Sequence, residues 1–397
     1  MRKLAVRLQG IQRRQLCRVS TLSGLQQEWE PDLSFLVPAF SLEELRQLET
    51  LAQAGLSNVA AYLSDSDAAP QSAMPVVIGP PDSLEPADII TLTPGSKHAH
   101  IIYRQSDLHH SLFLTNRCNS YCLMCSQPPT QHDDSWLVDE ALQLARHIKT
   151  SPALLGISGG EPLLSGTALR EVIDTFQHLH PQTCLEVLTN GRLFAKAPLA
   201  QNLLQDLAQP VRWLVPLYGH ADFLHDFVVQ SPGAFEQTLE GLLTLQDFQQ
   251  PIQLRIVLIE PVLRELSELC HFIARNLPFV QQVALMGCEP IGFALANREL
   301  CEVDLRAWQP QLLAGATALR RGHVPYVLMN APLCALPEEL WPDAHRSISD
   351  WKQVYAAECQ GCSVQSSCSG LFAWHERGWK PTAIKAISMR QIHEQIH

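Results

Sequence analysis

The stretch LFLTNRCNSYCLMCSQPP, residues 112–129, places three cysteines within eight residues directly after a short apolar run. Cys118, Cys122 and Cys125 have the spacing C-x3-C followed by C-x2-C, and no fourth cysteine follows nearby. Structural zinc sites favour two C-x2-C pairs, whereas an iron–sulfur cube on three thiolates leaves one iron open for chemistry. The spacing therefore favours a cluster. The alternatives are three unrelated buried thiols, or a zinc site completed by a residue such as His132.

The residues around this motif predict an α/β fold. From about residue 111 to 290, six apolar strand-like runs alternate with amphipathic helical patterns, which predicts a parallel sheet or a partial barrel. Chemistry in such barrels collects at the carboxyl ends of the strands. The cysteines begin where the first strand is predicted to end, as this rule requires. The strand candidates are SLFLTN, ALLGISGG, CLEVLTNG, RWLVPLYG, IQLRIVLIE and QQVALMGCEP.

Composition limits the class of protein. A chain of 397 residues with a net charge of -11 is long enough for two or three domains and is too acidic for a general nucleic-acid binder. No run of about 18 apolar residues predicts a membrane span. Seven of the 12 cysteines fall in two clusters, which favours metal binding over disulfides. We therefore expect a cytoplasmic protein without nucleic-acid or membrane partners.

A second motif follows the second predicted strand, in the sequence ISGGEP. Gly159 and Gly160 allow the backbone to approach a ligand closely, and the Glu161 carboxylate is a strong hydrogen-bond acceptor. Alone, such a segment is an ordinary connection between a strand and a turn. One βα unit after a cysteine triplet, it strengthens the prediction of a cofactor site.

Together, these two motifs resemble the radical S-adenosylmethionine (radical SAM) superfamily. The resemblance implies a partial (β/α)6 TIM-like barrel with a [4Fe-4S] cluster on Cys118, Cys122 and Cys125. S-adenosyl-L-methionine (SAM) would bind the open iron and be cleaved reductively to methionine and a 5'-deoxyadenosyl radical. Met124 occupies a position where the family usually has a hydrophobic or aromatic residue. Glu161 would accept hydrogen bonds from the SAM amino group.

Later strand ends supply further candidate cofactor-binding residues by analogy with the family. The third to fifth strands would contact the ribose and carboxylate of SAM, and the sixth strand would contact its adenine. Each candidate is otherwise an ordinary strand or turn residue, and no catalytic residue is assigned beyond the cluster site. The candidates are Thr189, Asn190, Tyr218, Arg255, Met286 and Gly287.

A second cysteine group lies near the end of the sequence: Cys334, then Cys359, Cys362 and Cys368 in the sequence CQGCSVQSSC. Four thiolates complete the ligand shell of a [4Fe-4S] cluster or a tetrahedral zinc site. The C-x2-C-x5-C run resembles the SPASM and twitch extensions of radical SAM peptide-modifying enzymes. A full SPASM motif would have a cysteine where Phe372 stands, so the resemblance implies a twitch-like domain with one auxiliary [4Fe-4S] cluster.

The domain prediction divides the chain into three parts. Residues 1–104 are an N-terminal extension of irregular pattern and unassigned role, residues 105–300 are the barrel, and residues 301–397 are the small twitch-like domain. Residues 63–86, rich in Ser, Asp and Pro, are predicted to be a linker or loop-rich connection.

Several segments resemble a narrower group, the His-Xaa-Ser system radical SAM maturases of the HxsC type. They include VALMGCEPIGFALANR, LWPDAHRSISDWKQVY and CSVQSSCSGLFAWHE. This resemblance implies a ribosomal precursor peptide with His-Xaa-Ser repeats as substrate, and a companion radical SAM maturase as partner. An electron donor such as flavodoxin or ferredoxin is also implied. The alternatives are a radical SAM enzyme acting on a small molecule or nucleotide, and a non-catalytic metal-binding scaffold for a companion maturase.

Overall fold

The computed structural model describes residues 2–56, 58–66, 72–349, 351–375, 378–381 and 384–388. It divides into two compact units. The first unit contains residues 1–112, 136–155 and 172–183. The second contains residues 113–135, 156–171 and 184–397. The predicted three-part division of the chain stays a prediction.

An eight-stranded sheet organises the first unit. Its strand order is β1-β8-β7-β3-β4-β5-β6-β2, with parallel pairs from β3 to β6 and antiparallel pairs elsewhere. Its strands are β1 (Arg2–Ala5), β2 (Arg7–Gln9), β3 (Gln15–Val19), β4 (Phe35–Pro38), β5 (Val59–Ser64), β6 (Val76–Ile78), β7 (Ile89–Leu92) and β8 (His98–Tyr103).

One short N-terminal segment joins both ends of this sheet. Strand β1 pairs with β8, and β2 pairs with β6, while only Val6 separates β1 from β2. Both sheet edges are therefore covered by a single segment of chain. The irregular sequence pattern of residues 1–104 has a structural reason, because short strands with mixed directions give no clear periodicity. Strand β6 also lies inside the predicted linker, of which residues 67–71 fall outside the described residues.

Both faces of the sheet are buried, as β4 illustrates. Phe35 and Val37 belong to one apolar cluster and Leu36 belongs to another, so alternate side chains enter opposite cores. Helices α1 (Leu22–Glu28) and α2 (Leu42–Gln53) connect the parallel strands. Helix α2 begins with a capping box between Ser41 and Glu44. Its residues Leu45 and Leu48 complete the cluster that contains Phe35.

The second sheet is a curled, parallel half-barrel of eight strands in sequential order, β9 to β16. The fold class predicted from the sequence is confirmed. The sheet has two more strands than predicted, because β15 and β16 continue it beyond the sixth strand. The strands are β9 (His110–Phe113), β10 (Leu154–Ser158), β11 (Cys184–Leu188), β12 (Arg212–Pro216), β13 (Ile252–Leu258), β14 (Gln282–Gly287), β15 (Tyr326–Met329) and β16 (Ala344–His345).

Helices alternate with these strands, and the amphipathic segments identified in the sequence are helical. They are α3 (Trp136–His147), α4 (Thr167–Leu179), α5 (Ala197–Leu204), α6 (Asp222–Val229), α7 (Ala234–Asp247), α8 (Glu260–Arg264), α9 (Leu266–Asn276), α10 (Phe293–Ala296), α11 (Arg298–Cys301) and α12 (Gln309–Arg321). A short antiparallel pair, β17 (Gln353–Val354) and β18 (Leu371–Phe372), lies in the C-terminal region. Within the described residues, no helix is long and apolar enough to cross a membrane.

The first unit contains a buried histidine whose neutral form is fixed by its hydrogen bonds. His147 Nδ1 donates to the Gln143 carbonyl at 2.8 Å, and Nε2 accepts a bond from the Ser34 N–H at 3.2 Å. Burial lowers the pKa of His147 to about 4. Protonation would place a hydrogen on Nε2 and break the bond from Ser34.

We predict that His147 makes the stability of the first unit fall with acid. Between about pH 6.5, the usual histidine pKa, and about pH 4, the unfolded chain binds a proton that the folded chain does not. The free energy of unfolding should therefore fall by about 1.4 kcal/mol for each unit of pH in this range. Thermal unfolding from pH 7.5 to 4.5 measures this dependence.

Two variants test the assignment. His147→Gln should be less stable at pH 7.5 but should show a weaker dependence on pH, since glutamine does not titrate. His178→Gln, which replaces an exposed histidine of the same unit, should keep the wild-type dependence. An unchanged pH dependence in His147→Gln would contradict the prediction.

Candidate functional site

The three cysteines lie on a loop without regular structure that follows β9. The loop begins with a hydrogen bond from the Leu114 N–H to the Ser158 carbonyl of β10, at 2.8 Å. The buried Asp134 carboxylate then accepts bonds from the Thr115 hydroxyl at 3.0 Å and from the backbone and side-chain amides of Asn116. These bonds fix the direction of the chain just before Cys118.

The middle of the loop is held by the end of α6. The N–H groups of Tyr121 and Leu123 donate to the carbonyls of Val229 and Val228, at 3.0 and 2.9 Å. These two donors lie on either side of Cys122. The loop thus pairs with backbone acceptors that a helix C-terminus leaves available.

The third cysteine is held by the segment that follows β14. The Phe293 N–H donates to the Cys125 carbonyl at 2.8 Å, and Asn297 Nδ2 donates to the Leu123 carbonyl at 2.9 Å. Three separate parts of the barrel, β10, α6 and α10, therefore support one loop. Such support is what a metal site requires, since ligand geometry depends on the residues behind the ligands.

The thiols of the loop interact electrostatically with one another. Burial raises the pKa of Cys118 to about 11, and the nearby Glu161 carboxylate adds to this effect. Burial, and then the charges of Cys125 and Cys118, raise the pKa of Cys122. Burial also raises the pKa of Cys125. Without metal the thiols are protonated, so binding of a cluster must release protons.

The loop fits an iron–sulfur cluster by its donor set. Residues 118–125 carry three thiols and no carboxylate or imidazole, and thiolates are the usual ligands of such clusters. All three cysteines are free and partly accessible. No set of three or more His, Cys, Asp and Glu side chains is arranged for a single metal ion in the described part of the chain. The choice of cluster over zinc stays a prediction.

Gly159 and Gly160 bring the turn after β10 against the cysteine loop. The Gly160 N–H donates to the Thr115 carbonyl at 2.7 Å, and the Glu161 N–H donates to the Arg117 carbonyl at 2.8 Å. A Cβ atom on Gly160 would lie only 2.2 Å from the Arg117 oxygen. In the structure, these glycines allow backbone to approach backbone immediately before Cys118. Their predicted approach to a ligand stays a prediction.

Glu161 is fully buried and connects two strand ends. Its carboxylate accepts bonds from the Thr189 hydroxyl at 2.6 Å, the Asn190 N–H at 2.7 Å and the Leu163 N–H at 2.9 Å. Burial raises its pKa, while these three donors act in the opposite direction. Glu161 thus fixes the turn after β11 relative to the turn after β10. Its predicted contact with the SAM amino group stays a prediction.

The turn after β11 returns to the cysteine loop through Asn190 and Arg192. Asn190 Nδ2 donates to Asn119 Oδ1 at 2.6 Å. Arg192 Nη1 donates to the Asn119 carbonyl at 2.7 Å and to the Ser120 hydroxyl at 2.9 Å. Arg192 was not predicted as a site residue. Its position could have indicated this role, since it directly follows the turn LTNG at a predicted strand end.

Tyr218 follows the end of β12, whereas Arg255 lies in the middle of β13. The pKa of Tyr218 is raised by burial and then by the thiolates of Cys122 and Cys125, which places it near the cysteine loop. Burial lowers the pKa of Arg255. His225 is buried, stacks on Tyr218 and accepts a bond from its N–H at 3.2 Å. It is a packed residue.

The remaining candidates are less directly connected to the cysteines. Met124 is buried within the loop. Met286 and Gly287 end β14 and are paired with Val257 and Leu258 of β13. A Cβ atom on Gly287 would lie 2.3 Å from the Asn330 carbonyl, so this glycine allows close approach of the segment after β15. Their predicted contacts with SAM stay predictions.

We predict that Glu161→Gln lowers the stability of the second unit. A glutamine amide would place an N–H group against one of the three donors that the carboxylate now accepts. The expected loss is about 1–3 kcal/mol in the free energy of unfolding, the cost of leaving a buried donor without a partner. Chemical denaturation followed by tryptophan fluorescence measures it. Glu171→Gln, on an exposed helix position, is the control and should change stability by under about 0.5 kcal/mol. Equal stability of both variants would contradict the prediction.

The four cysteines of the second group line one cavity: Cys334, Cys359, Cys362 and Cys368. Their predicted role as cluster ligands stays a prediction. Burial raises the pKa values of Cys334 and Cys359. Arg306 donates to the Cys334 carbonyl at 2.5 Å and holds the first of the four in place.

Backbone N–H groups point at the sulfurs of this group. The N–H groups of Leu333 and Gly370 donate to Cys368 Sγ, and that of Ile387 donates to Cys362 Sγ, each at 3.4 Å. Four thiols around one cavity, with N–H groups donating to two of the sulfurs, are a ligand set that an iron–sulfur cluster can use. The segment 384–388 was not predicted to belong to this site, because the side chains of Ile384 and Ile387 cannot act as metal ligands. In the structure, they line the cavity.

Phe372 stands where a full SPASM motif would have a further cysteine. Its ring is buried and stacks against Trp374, with 6.2 Å between the ring centroids. The side chain lies in β18, whose pairing with β17 is stabilised by a bond from Gln353 Nε2 to the Ser369 carbonyl at 2.8 Å. This position is therefore part of the apolar packing of the C-terminal region.

A cavity begins at the end of β14 and adjoins the four-cysteine cavity, with which it shares Pro332, Gly370 and Leu371. Its walls include Cys288 and Cys301, whose thiols donate to the carbonyls of Glu289 and Leu123, each at 3.8 Å. The Lys352 ammonium contacts the Glu289 carboxylate at 3.3 Å and joins the C-terminal region to the end of β14. The second unit thus contains a cavity beside the four-cysteine group.

Comparison with known families identifies the central part of the chain. Residues 112–273 match the model of the radical SAM superfamily. The chain therefore contains a radical SAM domain, and this family implies a SAM-binding [4Fe-4S] cluster and SAM itself. No curated protein matches the chain.

Several solved structures resemble the fold. Native anSMEcpe with bound AdoMet is 13% identical, and the match covers 55% of this chain and 64% of that chain with a TM-score of 0.42. The same protein with AdoMet and Kp18Cys peptide is 12% identical over 72% of this chain and 95% of that chain, with a TM-score of 0.47. A radical SAM methyltransferase from Sphaerobacter thermophilus is 15% identical over 62% and 75% of the two chains, with a TM-score of 0.41.

Proposed function

We propose that this chain is a radical SAM maturase that modifies a ribosomally made peptide bearing His-Xaa-Ser repeats. The observation that carries the proposal is the presence of two separate cysteine sites in the second unit. One is the triplet loop at the start of a radical SAM domain. The other is the four-cysteine cavity near the end of the chain.

The residues of the first site would hold and orient the cofactors. Cys118, Cys122 and Cys125 would bind a [4Fe-4S] cluster, and residues at the ends of β10 to β14 would bind SAM. When bound, these cofactors supply a 5'-deoxyadenosyl radical that removes a hydrogen atom from the substrate. Burial of Tyr218 and Thr189 keeps water away from the strand ends, where a radical must be protected.

The residues of the second site would hold an auxiliary [4Fe-4S] cluster. Its four thiolates leave no iron open, so its role would be to accept an electron from the substrate radical or to bind the peptide near it. The adjoining cavity lies between the end of β14 and the four-cysteine group. We assign it to the peptide.

The narrower assignment rests on the sequence segments that resemble the HxsC-type maturases, including VALMGCEPIGFALANR. It adds a companion radical SAM maturase and an electron donor such as flavodoxin or ferredoxin as partners. The companion would recognise or modify the same precursor peptide.

We predict about eight irons per chain after anaerobic reconstitution, and SAM cleavage on addition of dithionite. The triple variant Cys118→Ala/Cys122→Ala/Cys125→Ala should retain about four irons and form no 5'-deoxyadenosine, since it lacks the open cluster. Iron, sulfide and zinc analysis, with chromatography of the nucleoside, measures this. The control is Cys184→Ala, which removes an exposed cysteine outside both groups. A fully loaded protein that forms no deoxyadenosine even with peptide and partner would leave only the scaffold function.

We predict the reverse pattern for the second site. Cys359→Ala/Cys362→Ala should lose about four irons but should still form deoxyadenosine without peptide, because the triplet loop is held by other residues. It should not convert the peptide. Stoichiometric zinc with about four irons in the wild type would instead identify the second site as structural zinc.

The peptide assignment is tested by mass spectrometry of a synthetic peptide with several His-Xaa-Ser repeats. A mass change that requires SAM and reductant supports it, and a peptide of the same composition in scrambled order is the control. Failure of binding and of conversion, with companion present and deoxyadenosine still forming, would favour a small-molecule or nucleotide substrate.

A further inference from the structure

We propose that Arg192 is a positioning residue that holds the loop between Cys118 and Cys122 and raises the reduction potential of the cluster bound there. The inference rests on the proposed function, which places that cluster on the three cysteines. It assigns a role to a residue outside both cysteine groups.

The first argument is the geometry of the guanidinium group. Arg192 Nη1 donates to the Asn119 carbonyl at 2.7 Å, to the Ser120 hydroxyl at 2.9 Å and to the Ser231 hydroxyl at 2.9 Å. Nε donates to Gln237 Oε1 at 2.8 Å. Asn119 and Ser120 lie between two cluster cysteines, and Ser120 is buried. The rigid fork of an arginine therefore fixes this part of the loop.

The second argument is the charge that remains. The four acceptors that Arg192 contacts are uncharged, so none of them neutralises its positive charge. The guanidinium lies beside the cluster loop, since its contacts with Asn119 and Ser120 fall between Cys118 and Cys122. Arg192 is half-buried, and a charge in such a position is less screened by water and salt than one on the surface.

The third argument is the effect of a cation on a cluster. Cluster potentials depend on the net charge and hydrogen bonds around the sulfurs. Reduction adds a negative charge, and a nearby cation stabilises the reduced state more than the oxidised state. Arg192 should therefore make the cluster easier to reduce. Its backbone also belongs to this arrangement, because its N–H donates to Asn190 Oδ1 at 3.2 Å.

The test is an anaerobic redox titration of the full-length, reconstituted protein, monitored by electron paramagnetic resonance. The signal of the triplet cluster is identified by its change on addition of SAM. Arg192→Gln removes the charge and should shift the midpoint potential to more negative values. Arg192→Lys keeps the charge and should titrate near the wild-type potential. The control is Arg264→Gln, an exposed arginine paired with Glu260, which should leave the potential unchanged.

A wild-type potential in iron-loaded Arg192→Gln would overturn the inference, as would an equal shift in Arg264→Gln. If Arg192→Gln fails to retain iron, the iron content and potential of Arg192→Lys decide whether the charge of Arg192 has the proposed role. Wild-type iron content and potential in Arg192→Lys would support the role of the charge, and equal loss of iron would overturn it. Absence of a SAM-dependent signal in the wild type would instead contradict the proposed function, so the two failures are distinguishable.

Discussion

The arrangement of the first site depends on the hydrogen bonds that the buried Glu161 carboxylate accepts. It accepts three hydrogen bonds and joins the turn after β10 to the turn after β11. The backbone on its N-terminal side contacts the chain before Cys118, and the turn after β11 contacts the loop between Cys118 and Cys122 through Asn190 and Arg192. A cysteine loop without regular secondary structure is thereby fixed by its neighbours. Burial of such an acceptor is affordable only when its donors are present.

The two cysteine sites hold their thiols in place through different contacts. The triplet loop is held by backbone bonds to the barrel and keeps three thiols together. The second site is enclosed by short turns, and N–H groups from separate segments, including that of Ile387, point at its sulfurs. Four thiols complete a cluster, whereas three leave an iron for a substrate. Under the proposed function, the number of cysteines would assign reactivity to the first site and a supporting role to the second.

Much of this arrangement is predictable from the sequence. The six predicted barrel strands are apolar runs that alternate regularly with amphipathic helical segments. The cysteine spacing and the sequence ISGGEP mark the ends of the first two of these strands. The full N-terminal sheet was not predicted, because its strands are short, mixed in direction and joined through pairing between residues far apart in sequence. The barrel sheet also continues beyond the sixth strand, since β15 pairs with β14 and the two-residue strand β16 pairs with β15.

The functional residues that were missed share one property: they act on the cysteines through other groups. Arg192 reaches the loop through the Asn119 carbonyl and the Ser120 hydroxyl, and Ile387 reaches Cys362 through its backbone N–H. Neither contact is encoded by a motif, since backbone donors and acceptors are present in almost every residue. Glu161 was predicted as a site residue, but its hydrogen bonds to Thr189 and Asn190 are evident only in the folded structure.

The central claim is that one cluster has an open iron and the other does not. Mössbauer spectroscopy of protein reconstituted with ⁵⁷Fe, recorded with and without SAM, tests it most directly. We expect two [4Fe-4S] clusters, and a changed environment for about one iron in eight when SAM binds. Spectra that are identical with and without saturating SAM, in protein carrying both clusters, would contradict the claim.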